Sequence, residues 1–227
     1  MGGSHTIKEM NREEIISTVL KEKIIVILRG LSKEKLIKTV DAMEKGGIRL
    51  CEVTFNANGE PSDQEIGENI KMLSEAFKGR VHIGAGTVLT EHQVEIAANA
   101  GAEFIISPDT NPDVIRKTRE LGMVSIPGAL TPSEATLANR SGADFVKLFP
   151  NSEFRVSYLK AITVPLSHIR FLAVGGVNDE NLSEYLRAGA VGVGIATNIV
   201  NKKLIAAEDF DGITALAKKY VESVCRA

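Results

Sequence analysis

Tryptophan is absent and aromatic residues make up only 5% of the 227-residue chain. A surface that stacks nucleic-acid bases draws on aromatic rings, so that class of partner is not indicated. Charge of either sign is not in excess: the formal net charge is −2, which gives no global field favouring nucleic acid or an anionic membrane. Cysteine is scarce. Cys51 and Cys225 lie far apart and form no Cys-x-x-Cys pair, so neither a disulfide framework nor a cysteine metal site is implied. The histidines His5, His82, His92 and His168 are scattered without metal-ligand spacing; only His82 with a carboxylate stays open as a metal pair. There is no Gly-x-Ser-x-Gly elbow and no P-loop. No segment has a signal peptide's apolar centre, and no apolar run approaches membrane-spanning length. The expectation is a cytoplasmic protein without cofactor or metal, and without nucleic acid or membrane as partner.

What is present is a repeated unit. Short β-rich runs start near Ile24, Ile48, Val81, Phe104, Met123, Phe145, Ile169 and Val191, and helical patterns follow them. Ser32 precedes a helix with Leu36, Val40 and Met43 on one face and Gly46-Gly47 as its stop. Thr90, Thr131 with Pro132 behind it, and Asn178 open further helices. Asn11 is placed as the cap of an extra leading helix, and a last helix spans about Phe210 to Cys225. Strands alternating with helices indicate βαβ units and a parallel sheet. Eight at even spacing predict an α/β fold of the (β/α)8 TIM-barrel type with an extra N-terminal helix. The rival, a doubly wound open sheet, lacks a Gly-x-Gly-x-x-Gly helix entry here. Met1-Gly2-Gly3-Ser4-His5 reads as an expression-tag remnant and is set aside, leaving residues 6–227 as one barrel domain.

Barrel enzymes carry their chemistry at the carboxyl ends of the strands. Side chains alternate between the barrel interior and the helix layer. In DFVKLFP (144–150) the aliphatic Val146 and Leu148 should meet the helices, which turns Phe145, Lys147 and Phe149 inward. The same parity turns Leu50, Glu52 and Thr54 inward, with Cys51, Val53 and Phe55 outward. Arg29 ends the first strand on the face of Ile25 and Ile27. A lysine, a glutamate and an arginine therefore converge on the mouth. As a plain buried ion pair, Glu52 with either cation would contribute little net stability.

A buried lysine has a chemical use. At an ordinary pKa near ~10.4 only about one amine in 2,500 is neutral at pH 7. Apolar walls disfavour the ammonium, and a drop of roughly 3 units corresponds to about 4 kcal/mol. A neutral amine can form a Schiff base with a keto substrate, and Glu52 can move the protons. Gly175-Gly176 follow the seventh strand, and Gly194 and Thr197 belong to the eighth strand and its loop. Those two loops of a barrel often bind phosphate through backbone N–H groups, although glycines there also simply permit tight turns.

CEVTF (51–55), GAGTV (84–88), ISP (106–108), IPGALTPSE (126–134), VKLFP (146–150) and VGGVN (174–178), in this order, resemble the 2-keto-3-deoxy-6-phosphogluconate (KDPG) / 4-hydroxy-2-oxoglutarate (KHG) aldolase family from about Ile24 to Ala196. The resemblance implies a metal-free class I aldolase, a homotrimer, cleaving a KDPG- or KHG-type 2-keto acid to pyruvate and an aldehyde. It implies Lys147 as the Schiff-base lysine and Glu52 as the general acid/base. It further implies Thr87 as a pyruvate-carboxylate ligand, Pro108 and Phe149 as pocket walls, and Gly175 and Gly176 as phosphate-loop glycines. Arg29 matches an arginine that ends the first strand in some members.

The chain departs from the family in four places. Asn56 stands where many members have an arginine, with Arg29 as its substitute. Val174 stands where a threonine is frequent. Ile195 stands where a serine is frequent, with Thr197 two residues on. Two missing hydroxyls weaken the case for a phosphorylated substrate. The loop NSEFRVSYL (151–159) is unlike the family's; its Arg155 either reads the distal end of the substrate or, as the favoured reading, caps a helix at the surface. Two other functions fit the residues: a phosphate-binding isomerase or epimerase with Glu52 as base, and a non-catalytic anion-binding barrel. An aldolase for an unphosphorylated sugar acid is the third.

Overall fold

The structure, a computed structural model, describes residues 2–226, with side chains from residue 12. Its strands are β1 (Ile24–Leu28), β2 (Leu50–Thr54), β3 (His82–Gly86), β4 (Phe104–Ile106), β5 (Val124–Ile126), β6 (Gly128–Ala129), β7 (Val146–Leu148), β8 (Phe171–Val174) and β9 (Gly192–Ile195). All pairings are parallel, in the order β5-β4-β3-β2-β1-β9-β8-β7-β6. The two ends of that order are one stretch of chain interrupted at Pro127, which has no N–H to give a ladder. The amides of Asp144 and Lys147 donate to the Ser125 and Pro127 carbonyls, at 2.9 and 2.8 Å, across this stave. An α/β barrel of TIM type results, with its fifth stave in two short pieces.

The helices are α1 (Gly2–Glu22), α2 (Lys33–Lys45), α3 (Asp63–Ala76), α4 (Glu91–Asn99), α5 (Pro112–Glu120), α6 (Pro132–Arg140), α7 (Val156–Thr163), α8 (Leu182–Arg187), α9 (Lys202–Ala206) and α10 (Phe210–Cys225). Their entries follow local chemistry. Thr131 and Ser62 form capping boxes with Glu134 and Glu65, and the Thr90 hydroxyl accepts from the Gln93 amide. Two expected starts differ. Between Ser4 and Lys23 the sequence has neither glycine nor proline, and α1 begins at Gly2 instead of at Asn11. The side chains of Asn11 and of Met1–His5 lie outside the described residues. Asn178 uses its carboxamide oxygen in a turn, accepting from the Glu180 and Asn181 amides, so α8 begins at Leu182.

Two apolar layers sort the side chains. Val26, Cys51, Val53, Phe55, Val146 and Leu148 belong to the layer between sheet and helices. Ile25, Leu50, Phe104, Val124, Phe145 and Leu172 fill the barrel interior. Ile15, Ile16 and Val19 of α1 join the interior group, so the leading helix closes the amino-terminal end of the barrel. Burying those three side chains favours the closed end by roughly 1.5–3 kcal/mol each. Arg12 and Arg119 both pair with the buried Asp144 there, at 2.6 and 2.8 Å. With one end plugged, the opposite mouth is left for a site.

Candidate active site

The mouth holds a cleft of about 820 Å³. Lys147 and Glu52 form its floor, with Arg29, Thr87, Pro108 and Phe149 around them. Gly175, Gly176 and Thr197 lie on its β8–β9 side. All nine residues singled out from the sequence therefore line one cavity.

Lys147 is 7% exposed. Its Nζ stands 4.4 Å from the centre of the Phe149 ring. Burial pushes its pKa down; the Glu52 carboxyl opposes that shift, and the Arg29 guanidinium adds to it. Glu52 is 2% exposed, and its Oε2 has no hydrogen-bond partner among the described residues. Burial pushes its pKa up to about 7, against the pull of Lys147 and Arg29. A lone carboxylate oxygen out of water is costly, which is the physical reason this group keeps its proton near neutrality. A small pocket under the pair is walled by Ile25, Ile126, Leu172 and Val174 and supplies the desolvation.

The inner face of β3 is cut away to receive these groups. A β-carbon on Gly84 would strike the Phe104 ring, and one on Gly86 would strike the Glu52 carboxyl. Thr87 follows with φ 56°, a left-handed backbone rare for a β-branched residue. Its hydroxyl accepts from Arg29 Nη2 at 2.9 Å. Arg29 Nε donates to Thr54 Oγ1 at 3.2 Å, and Thr54 Oγ1 donates to the Leu28 carbonyl at 3.3 Å. The guanidinium is thus fixed on β1, β2 and the β3 loop, on the rim above Glu52. Asn56 is elsewhere: its Nδ2 donates to the Glu60 carbonyl and braces the β2–α3 loop.

At the β9 end the structure separates the two positions that the sequence offers for a hydroxyl. Ile195 is 1% exposed and packs in the sheet–helix layer, facing away from the cleft. Thr197 lines the cleft instead, so this loop does present a hydroxyl. Val174 faces the cleft and offers none. Gly175 and Gly176 have φ of 96° and 72°, conformations that favour glycine. Arg155 is exposed at the N-cap position of α7 and does not line the cleft. His82, at the start of β3, pairs with Glu103 at 2.9 Å, away from the mouth. Among the described residues no three His, Cys, Asp or Glu side chains are grouped to hold a metal, and no helix is long and apolar enough to cross a membrane. Lys202, Asn198 and Ala196 also line the cleft. No sequence pattern marks Lys202, because it belongs to α9, a five-residue helix without a periodicity of its own.

An amine pushed toward its neutral form, beside a carboxyl that exchanges protons near neutrality, defines a class: barrel enzymes that handle carbonyl compounds through a lysine. Residues 15–216 match the family model described as KDPG and KHG aldolase. The chain is 33% identical over 205 residues to the 2-dehydro-3-deoxy-6-phosphogalactonate aldolase of Escherichia coli (strain K12), covering 90% of this chain and 97% of that protein. A solved structure described as native KDPGal superimposes with a TM-score of 0.80 at 32% identity, over 89% of this chain and 94% of the other. The Legionella pneumophila KDPG aldolase, solved with pyruvate captured as a covalent carbinolamine intermediate, superimposes with a TM-score of 0.80 at 27% identity, over 89% of this chain and 96% of that one. The chain belongs to the KDPG and KHG aldolase family.

Proposed function

We propose that the protein is a class I aldolase in which Lys147 forms the Schiff base and Glu52 moves the protons. The observation that carries this reading is the buried pair itself: an amine and a carboxyl, each pushed by burial toward its neutral form, on the floor of one cleft. The neutral Lys147 amine attacks C2 of a 2-keto acid, giving a carbinolamine. Protonated Glu52 delivers a proton to its hydroxyl, water leaves, and an iminium remains. Glu52, now ionised, takes the proton of the C4 hydroxyl. The C3–C4 bond breaks, its electron pair moves toward the iminium nitrogen, and the aldehyde departs from an enamine. Glu52 returns the proton to C3, and hydrolysis releases pyruvate and the free lysine.

Arg29 and Thr87 fit the substrate carboxylate: a guanidinium already held by two threonine hydroxyls meets a planar anion without further ordering. Pro108 and Phe149 wall the keto end. Gly175, Gly176 and Thr197 face the tail, where backbone N–H groups and a hydroxyl suit a phosphate. With Thr197 in the cleft, the loss of hydroxyls is confined to Val174. The substrate class is therefore a 2-keto-3-deoxy-6-phospho sugar acid, with 4-hydroxy-2-oxoglutarate as the short alternative. The gluconate and galactonate forms differ at C4, a centre that cleavage turns into the aldehyde carbon, so both yield pyruvate and glyceraldehyde 3-phosphate. A homotrimer and a cytoplasmic site of action belong to the same reading, and sedimentation of the purified protein tests the first.

Pyruvate release should be followed across both phosphorylated epimers, their unphosphorylated counterparts and 4-hydroxy-2-oxoglutarate. Turnover of at least one phosphorylated epimer in preference to its unphosphorylated form supports the reading. Isomerisation without pyruvate release overturns it.

A further inference from the structure

We infer that Lys202 is a specificity-determining residue: its ammonium is the formal positive charge that holds the distal phosphate of the substrate. The inference rests on the reading of the substrate as phosphorylated. Three cations line the cleft: Arg29, Lys147 and Lys202. Arg29 is bound to Thr54 and Thr87 at the opposite end of the keto acid. Lys147, buried on the cleft floor, is bonded to C2 of the keto acid during the reaction, so its nitrogen stays at that end and away from the tail. Lys202 alone is left.

The groups that otherwise face the tail are uncharged. Gly175 and Gly176 give backbone N–H donors, Thr197 gives a hydroxyl, and Asn198 spends its Nδ2 on the Val177 carbonyl at 3.1 Å. A phosphate monoester carries a charge of about −1.5 to −2 at pH 7, and neutral donors leave that charge uncompensated. Among the described residues the only carboxyl lining the cleft is Glu52, buried on its floor, so none of them competes for Lys202 at the rim.

The ion pairing around α2 points the same way. Lys33 pairs with Glu68, and Lys38 pairs with Glu34 and Glu208. Lys202 has no ion-pair partner among the described residues. It also borders the adjoining groove formed by Gly30, Leu31, Ser32 and Lys35, which sets it on the rim between the β1 and β9 loops. An exposed lysine stem there is long and flexible enough to follow a tail that enters from solvent.

The test compares kcat/KM for a phosphorylated 2-keto-3-deoxy sugar acid with that for its unphosphorylated counterpart. Lys202→Gln should lower the ratio at least tenfold, chiefly through KM of the phosphorylated substrate, and Lys202→Arg should restore most of it. Inorganic phosphate should inhibit the parent competitively, and at least fivefold more weakly in Lys202→Gln. If the parent prefers the phosphorylated substrate and Lys202→Gln keeps that preference, the role of Lys202 is overturned while the phosphate reading stands. If the parent itself shows no preference, the phosphate reading fails and the inference fails with it.

Discussion

Gly86 and Glu52 sit on neighbouring strands so closely that a β-carbon on Gly86 would lie 2.6 Å from Glu52 Cδ. The glycine is what allows a carboxyl to be folded into the barrel beside Lys147. Gly86→Ala should cost about 1–3 kcal/mol of stability by overpacking. It should lower kcat by roughly 10²–10⁴, the range for losing a general acid/base. Thermal melting and steady-state cleavage read the two effects separately. A folded Gly86→Ala protein with full kcat would show that the position of Glu52 is not critical.

The pH dependence of imine formation has a defined sign. Lys147 must be neutral to attack, so the rate of trapping with pyruvate rises as pH passes its lowered pKa. Above about pH 7 Glu52 is ionised and favours the ammonium. Glu52→Gln removes that influence, so the rising limb should move to lower pH even as turnover falls. Arg29→Gln removes a repelling cation, so the limb should move to higher pH. Opposite displacements in either variant would contradict the electrostatics described for the pair.

Arg29 reaches Thr87 and Thr54 through separate nitrogens, an arrangement that a lysine cannot reproduce. Arg29→Lys should raise KM for the keto acid by roughly tenfold, in line with one lost charge-assisted hydrogen bond. The change in kcat should be smaller. Equal losses with pyruvate analogues that lack the carboxylate would place the arginine's role elsewhere.

The contrast between Ile195 and Thr197 can be measured directly. Thr197→Ala should reduce the preference for phosphorylated substrate by roughly fivefold, the loss of about 1 kcal/mol. Ile195→Ser puts a hydroxyl into the sheet–helix layer. It should destabilise the fold by about 2–4 kcal/mol without tightening phosphate binding.

Much of this site is legible in the sequence because a strand has a period of two. Val146 and Leu148 are aliphatic and Lys147 is not, which is enough to turn the lysine inward. The same parity on Cys51 and Val53 turns Glu52 inward. It also applies to β9, where Val193 and Ile195 face the helices and Gly194 and Ala196 line the cleft. A hydroxyl at position 195 would therefore face the helices and miss the cleft. Other features depend on loops, whose geometry no periodicity encodes. The brace from Asn56 to Glu60, the late start of α8 and the arrival of Lys202 at the rim are of this kind. The break at Pro127 is legible only as a proline. That it falls where the sheet closes follows from strand order, a tertiary fact.

The most direct test of the account is reductive trapping. The protein incubated with pyruvate and borohydride, then digested and sequenced by mass spectrometry, should carry a carboxyethyl adduct on Lys147, and Lys147→Ala should carry none and lose cleavage. An unmodified Lys147, or an adduct on a different lysine with cleavage retained in Lys147→Ala, would contradict the assignment of Lys147 as the imine-forming amine.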